Sequence, residues 1–316
     1  VSASRPRILV IKLGALGDFV QALGPMAAIR RHHAGAHIVL LTAAPFARLA
    51  RLSGYVDEVW VDERPPLWAP RRWLALRRRL REGRFQRVYD LQTSDRSGWY
   101  FRLMGPGARP EWSGIARGCS HPHGNPRRNR LHTVERQAEQ LRLAGIEPVP
   151  PPDLAWARAD LARFKLRQPY LLLVPGGAAH RPAKRWPVER YAALARAAAA
   201  RGVTPVVLGL AGERGLARAI AAACPETVDL CGETRLEEIA ALAREALAAV
   251  GNDTGPMHLV AAAGCSAVVL FSAASDPALC APRGRRVEVL RRRQLAELPL
   301  EAVLAALPAP LGAAPL

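Results

Sequence analysis

The sequence predicts an α/β chain of two doubly wound halves in tandem, each a parallel sheet with helices on both faces. Three observations carry this. Short β-rich apolar runs alternate with helical periodicities, an order that builds parallel sheets. The alternation restarts after Glu147 to Asp153 (EPVPPPD), where four prolines in seven residues stiffen the chain and cannot continue a helix. A length of 316 residues exceeds one small core and suits two ordinary ones. The boundary falls at residue 150, giving halves 1–150 and 151–316, with the closing helix also able to pack back on the first half.

In the first half, Arg7 to Lys12 (RILVIK) is a strand and Leu13 to Gly17 (LGALG) a glycine turn. Asp18 opens a helix to about His33, with Phe19, Val20, Leu23, Met26, Ala27 and Ile29 as its apolar face. A strand at His37 to Thr42, a helix near Pro45 to Leu52 and a strand near Val56 to Val61 follow. Arg64 to Arg87 is Pro-rich, then strongly basic. A helix over Arg71 to Arg84 turns Trp73, Leu74, Leu76 and Leu80 inward and many arginines outward. That outer face is either simply solvated or receives anionic lipid headgroups or an anionic acceptor. Val88 to Leu91 is a strand, and Gln92 to Ser97 a polar loop into a short helix. Gly105 to Arg130, rich in Gly, Pro, Arg and His, reads as a long functional or mobile loop. Its His121 and His123 lack the carboxylate or cysteine companions of a metal site. His132 to Ala144 is a helix ended by Gly145.

In the second half, Tyr170 to Val174 (YLLLV) is a strand, PGGAAHRPAKRWP a loop, and Val188 to Ala200 a helix. Strand, helix and short strand follow at Pro205 to Leu210, Glu213 to Ala223 and Val228 to Leu230. Leu236 to Arg244 is a helix, Ala246 to Val250 a buried strand, and GNDTGPMHLVAAAG (Gly251 to Gly264) a polar turn opening a helix. Strands at Ser266 to Phe271 and Val287 to Leu290 and a helix at Leu300 to Leu307 close the chain.

Composition narrows the class. Five scattered cysteines without CxxC pairing fit reduced, mostly buried thiols. No apolar run is long enough to cross a bilayer and no apolar signal region precedes the first strand, so a cytoplasmic protein is expected. The net charge of +18 is carried almost wholly by arginine, the lysines being Lys12, Lys165 and Lys184. Such a field attracts polyanions. The nucleic-acid motifs of zinc fingers, RNP aromatics and heptad-backed basic regions are absent, which favours an anionic membrane surface or phosphorylated glycolipid over nucleic acid. A basic membrane- or nucleic-acid-binding protein on a relic fold remains the rival class.

Three loops of the second half meet one requirement. PGGAAHRPAKRWP supplies flexible glycines and the point cation of Lys184 beside Arg185. LGLAGER places Glu213 just after a strand, suited to ribose hydroxyls. GNDTGPMH supplies a helix N-terminus that Asp253 or Thr254 can cap, with first-turn amides for an anion and Gly255 for close approach. Together they would hold a nucleoside diphosphate. Neither GxxxxGK[ST] nor GxGxxG after a strand is present, which counts against kinases, ATPases and dehydrogenases. In the first half Asp18 either caps its helix or serves as a base for a sugar hydroxyl. No second carboxylate shares its loop, so a glycosidase pair is not suggested. His258, one turn into its helix, is either a packed core histidine or part of the site. No DxD pair occurs to bridge a diphosphate through a metal.

Three segments, ILVIKLGALGDFVQALGPMAAIR, VPGGAAHRPAKRWPVERYAALA and GNDTGPMHLVAAAGCSAVVLFSAASDP, in this order and at these distances, resemble the heptosyltransferases of glycosyltransferase family 9. The resemblance is thin from Arg64 to Arg130. It implies a GT-B fold, two Rossmann-like domains facing across a cleft. It further implies metal-independent, inverting transfer of heptose from ADP-heptose to the lipopolysaccharide inner core or a Kdo-bearing lipid A, without a cofactor, at the inner face of the inner membrane. On it, Asp18 would be the base, Lys184 a phosphate ligand, Glu213 the ribose ligand and Thr234 a neighbour of adenine. Asp253, Thr254, Gly255 and His258 would form the diphosphate and sugar loop. Ala179 and His180 stand where some members carry hydroxyl side chains, so contacts there would come from backbone or imidazole. The acceptor-facing loops also differ from the family pattern.

Overall fold

The structure, a computed structural model, describes residues 5–66, 68–105, 109–178 and 180–312. Two compact units divide at Val1–Pro152 and Asp153–Leu316.

Unit 1 is built on the six parallel strands β1 (Arg7–Ile11), β2 (His37–Thr42), β3 (Glu58–Val61), β4 (Arg87–Asp90), β5 (Glu111–Gly114) and β6 (His121–Pro122). Their order is β3-β2-β1-β4-β5-β6, with Ile8 facing Ile38 on one side and Arg87 on the other. The central strand RILVI is almost continuously apolar because both faces are covered. Its helices are α1 (Leu16–Gln21), α2 (Leu23–His32), α3 (Ala47–Leu52), α4 (Pro70–Glu82), α5 (Asp95–Leu103) and α6 (Thr133–Leu143). Leu9, Ile11, Val39, Leu41, Trp60, Val88 and Trp112 lie in a core cluster on this sheet.

Three features of unit 1 differ from the sequence reading, and a fourth adds to it. The first helix is two: α1 stops at Gln21, because Pro25 has no N–H to give the Gln21 carbonyl, and α2 restarts at Leu23. Leu74 points outward at 60 % exposure, since at about 100° per residue it stands on the flank of the arc that turns Trp73, Leu76 and Leu80 inward. The stretch read as one long loop carries β5 and β6. The proline-rich segment lies against α2: Arg31 Nη2 donates to Pro148 O at 2.9 Å, and a Cβ on Gly24 would stand 2.1 Å from Pro150 O.

Unit 2 repeats the plan with β7 (Tyr170–Val174), β8 (Thr204–Val207), β9 (Val228–Asp229), β10 (Ala248–Asn252), β11 (Ala267–Phe271) and β12 (Val287–Arg291), all parallel, in the order β12-β11-β10-β7-β8-β9. Its helices are α7 (Val188–Ala199), α8 (Arg214–Ala223), α9 (Leu236–Glu245), α10 (Gly255–Ala262), α11 (Pro277–Cys280) and α12 (Leu300–Ala305). The sequence also allows the closing helix to pack on the first half. In the structure α12 packs within unit 2, with Val303 in the core cluster of Trp186, Tyr191 and Leu194. The five cysteines are free thiols, four of them buried. Among the described residues no helix is long and apolar enough to cross a membrane.

The two strand orders place a crevice in each unit. Connections run outward in opposite directions from β1 and β4, and likewise from β7 and β10, and ligands of such sheets bind beyond the carboxyl ends at that switch point.

Candidate functional site

At the switch point of unit 2 the loop after β7 is pinned by Asn252, the last residue of β10. Asn252 is wholly buried. Its Nδ2 donates to Pro175 O at 2.8 Å and Gly176 O at 3.0 Å, and its Oδ1 accepts from Trp186 N at 3.0 Å and Tyr191 Oη at 3.1 Å. This residue was missed in the sequence, where it stands between the two that draw attention, Gly251 and Asp253.

Glu213, at the start of α8, ties the same loop to the one after β8. One carboxylate oxygen accepts from Gly177 N at 2.8 Å and the other from Leu210 N at 2.7 Å. The approach is close enough that a Cβ on Gly176 would stand 2.1 Å from Glu213 Oε1, so any side chain there would have to displace the Glu213 carboxylate. Gly177 in turn lies beside Thr254: its added Cβ would be 3.1 Å from Thr254 Cγ2. Thr234, half-buried, follows Gly232, whose amide donates to Gly209 O at 2.8 Å, so it falls at the same end of the sheet.

Lys184, at the end of a 3-10 turn, donates to Asp253 Oδ2 at 2.6 Å, and Ser275 Oγ donates to the same oxygen at 2.7 Å. Both partners of the ion pair are largely shielded from solvent, with side-chain exposures of 14 % and 8 %. Asp253 therefore does not cap α10, and the N-cap Thr254 makes no side-chain capping bond either. The Thr254 hydroxyl is buried without a hydrogen-bond partner. Pro256 carries no N–H and Met257 N bonds Thr254 O at 3.2 Å, so the donors left at this helix start are the amides of Thr254 and Gly255. That is fewer than the full first turn the sequence suggests. Ser275, brought in by the loop after β11, had no signal in the sequence.

His258 is buried at 7 % exposure, one turn along α10. His180 is exposed in the loop after β7, and Ala179 lies outside the described residues. Arg185 donates from its guanidinium to Gly177 O and so shapes the loop itself.

At the switch point of unit 1, Asp18 sits half-buried in the first turn of α1, and Ala15, not Asp18, is the N-cap. The turn before it is held by three bonds. Leu13 N donates to Gln92 Oε1 at 2.8 Å, Arg64 Nη2 donates to Leu13 O at 2.8 Å, and Thr42 Oγ1 donates to Lys12 O at 2.6 Å. Gly14, at φ +125°, is packed against Phe46, where a Cβ would meet the ring at 2.8 Å. Beneath Asp18, Lys12 is buried and donates to Leu91 O at 3.1 Å. Burial pulls its ammonium below the usual lysine range, with Asp18 and Asp90 opposing and Arg136 reinforcing. Asp90, at the end of β4, is fully buried, and that burial pushes its carboxyl up to about 6 against hydrogen bonds from the Thr93 and Gln92 amides. Asp90 and Gln92 become legible once β4 is known to lie beside β1.

Among the described residues no three His, Cys, Asp or Glu side chains stand together as a metal site. His123 instead bonds Glu139 at 3.2 Å. The arrangement offers a glycine loop, one ammonium, two amides and a bridging carboxylate in unit 2, and an accessible acid over a buried lysine in unit 1. These are parts for holding a phosphorylated ligand and for moving a proton.

Comparison with known proteins identifies the family. Residues 73–302 match the family described as glycosyltransferase family 9 (heptosyltransferase). The chain is 33 % identical over 120 residues to lipooligosaccharide heptosyltransferase 2 of Haemophilus influenzae, covering 36 % of this chain and 34 % of that protein. It is 29 % identical over 241 residues to lipopolysaccharide heptosyltransferase 2 of Escherichia coli, covering 67 % and 66 %. The matches thus span about a third of the length of the first relative and just under two thirds of the second. The solved E. coli ADP-heptose lipopolysaccharide heptosyltransferase II is similar in fold, with a TM-score of 0.79 at 24 % identity over 95 % of this chain and 97 % of that one.

Proposed function

The chain belongs to glycosyltransferase family 9 (heptosyltransferase), and on that premise we propose that it transfers a heptose from ADP-heptose to the inner core of lipopolysaccharide, inverting the anomeric centre without a metal. Unit 2 holds the donor. Glu213 takes ribose hydroxyls on the lone pairs its two amide partners leave open, and Thr234 stands near the adenine. The diphosphate lies on Lys184 and the amides of Thr254 and Gly255, while Asp253 and His258 face the sugar. Unit 1 supplies the base. Asp18 accepts the proton of the acceptor hydroxyl as that oxygen bonds the anomeric carbon. The bond from that carbon to the β-phosphate oxygen breaks, and ADP leaves with the electron pair. Its new charge is met by the ammonium and the two amides, a stabilisation that grows toward the transition state. The acceptor is a lipid-borne saccharide, which sets the work at an anionic membrane surface on the cytoplasmic side.

The observation that carries this reading is the convergence of Lys184, Glu213 and Thr254 on one switch point, around a loop pinned by Asn252. Calorimetric titration with ADP in the presence of a chelator tests the donor site, and saturable binding is expected. Asp18→Asn should abolish transfer, by a factor of about 10² or more, and leave ADP affinity nearly unchanged. A loss of nucleotide affinity in that variant would remove Asp18 from the role of base.

A further inference from the structure

The inner face of α4 is accounted for by the core of unit 1: Leu80 is buried there, with Trp73 and Leu76 partly so. Its outward flank is not. Leu74, 60 % exposed, shares a face with Arg77, Arg78 and Arg81, three, four and seven positions on, and with Glu82 these line a shallow concavity of about 360 Å³. Glu82 is engaged by Arg78 at 3.7 Å. Arg77 and Arg81 meet no acid among the described residues. Just before the helix, Trp68 is 84 % exposed.

Guanidinium groups alone would suit any polyanion. An exposed leucine among them, with a tryptophan nearby, suits a boundary where hydrocarbon lies directly beneath a layer of phosphate. Nucleic acid offers the phosphates and no hydrocarbon. We propose that the flank of α4 formed by Leu74, Arg77, Arg78 and Arg81, together with Trp68, docks unit 1 on an anionic phospholipid surface. The arginines donate to lipid phosphates while Leu74 and the indole enter the headgroup boundary. The proposal rests on the reading above in one respect, that a lipid-borne acceptor requires a protein working at a membrane.

Flotation of the whole protein with vesicles tests it, using phosphatidylcholine alone and phosphatidylcholine mixed with phosphatidylglycerol. Binding is expected only with phosphatidylglycerol, falling as salt rises. Arg77→Gln and Arg81→Gln should each weaken it roughly fivefold, and Leu74→Ser should weaken it further. The same variants should keep the parent's melting temperature and its transfer rate on a water-soluble, lipid-free acceptor saccharide. Equal binding to neutral vesicles, or a triple variant that partitions like the parent, overturns the proposal. So does a triple variant that loses duplex DNA and keeps vesicles. If the parent binds vesicles through α4 and shows no transfer to the soluble acceptor, the docking surface stands and the transferase reading falls.

Discussion

At Asn252 four hydrogen bonds end on one buried side chain, and none of its partners can turn to water instead. Asn252→Ala would strand Pro175 O, Gly176 O and the Trp186 amide, so the expected cost is about 3 kcal/mol, read as a lowered urea midpoint with unchanged slope. A loss under about 1 kcal/mol would mean the loop is held elsewhere. Two titrating groups, Asp90 fully buried and His33 half-buried, pull stability in opposite directions with pH. Asp90 is raised to about 6 in the fold from 3.8, so the folded state holds the extra proton. Its contribution is full below pH 4 and is lost as pH rises through 6, by roughly 3 kcal/mol. His33 is lowered from 6.5 to about 4, chiefly by burial. Here the unfolded state holds the extra proton, so stability is gained as pH rises from 4 to 6.5. Denaturation series between pH 4 and 7 should therefore rise more steeply with pH in Asp90→Asn and flatten or fall in His33→Gln. Identical profiles for parent and both variants would contradict both assignments. Residue by residue, Lys184, Glu213 and Asp253 were legible because each follows a recognisable strand. Ser275 and Gln92 were not, because only the sheet order brings their loops to the site.

On the level of elements, the strand that ends in a polar turn and a helix was the clearest signal in the chain, and α10 begins where that turn predicts. The break in the first helix is masked in the sequence because its apolar periodicity continues across Pro25, whose missing N–H ends α1 at Gln21. β5 and β6 were invisible for another reason. EWSG and HP carry little strand character of their own, and it is the parallel ladder beside β4 that makes them strands. The two loops joined by Glu213 should respond as one element. Glu213→Gln puts an amide donor against either the Gly177 or the Leu210 amide, and removes the charge from the bond that remains. ADP affinity should fall about tenfold or more, while the melting temperature moves little. Titration calorimetry with unchanged affinity would show that the carboxylate only braces the loops.

For the whole molecule, tandem repetition was readable because the proline-rich segment interrupts an alternation that then begins again. The order of strands was not, since pairing is long-range and leaves no local mark. Each unit has a core of its own, so a chain limited to residues 153–312 should fold and bind ADP with an affinity within about threefold of the parent, given that domains with independent cores fold alone. An unfolded or non-binding fragment would show that the donor site depends on unit 1. The net charge of +18 surrounds the protein with a crowd of anions of every kind. The ammonium best placed to receive one is already taken by Asp253, which Ser275 steadies. Any visitor must evict that sitting tenant or share the room with it, so mere attraction is not admission, and entry goes to guests that bring a second foothold along with their charge.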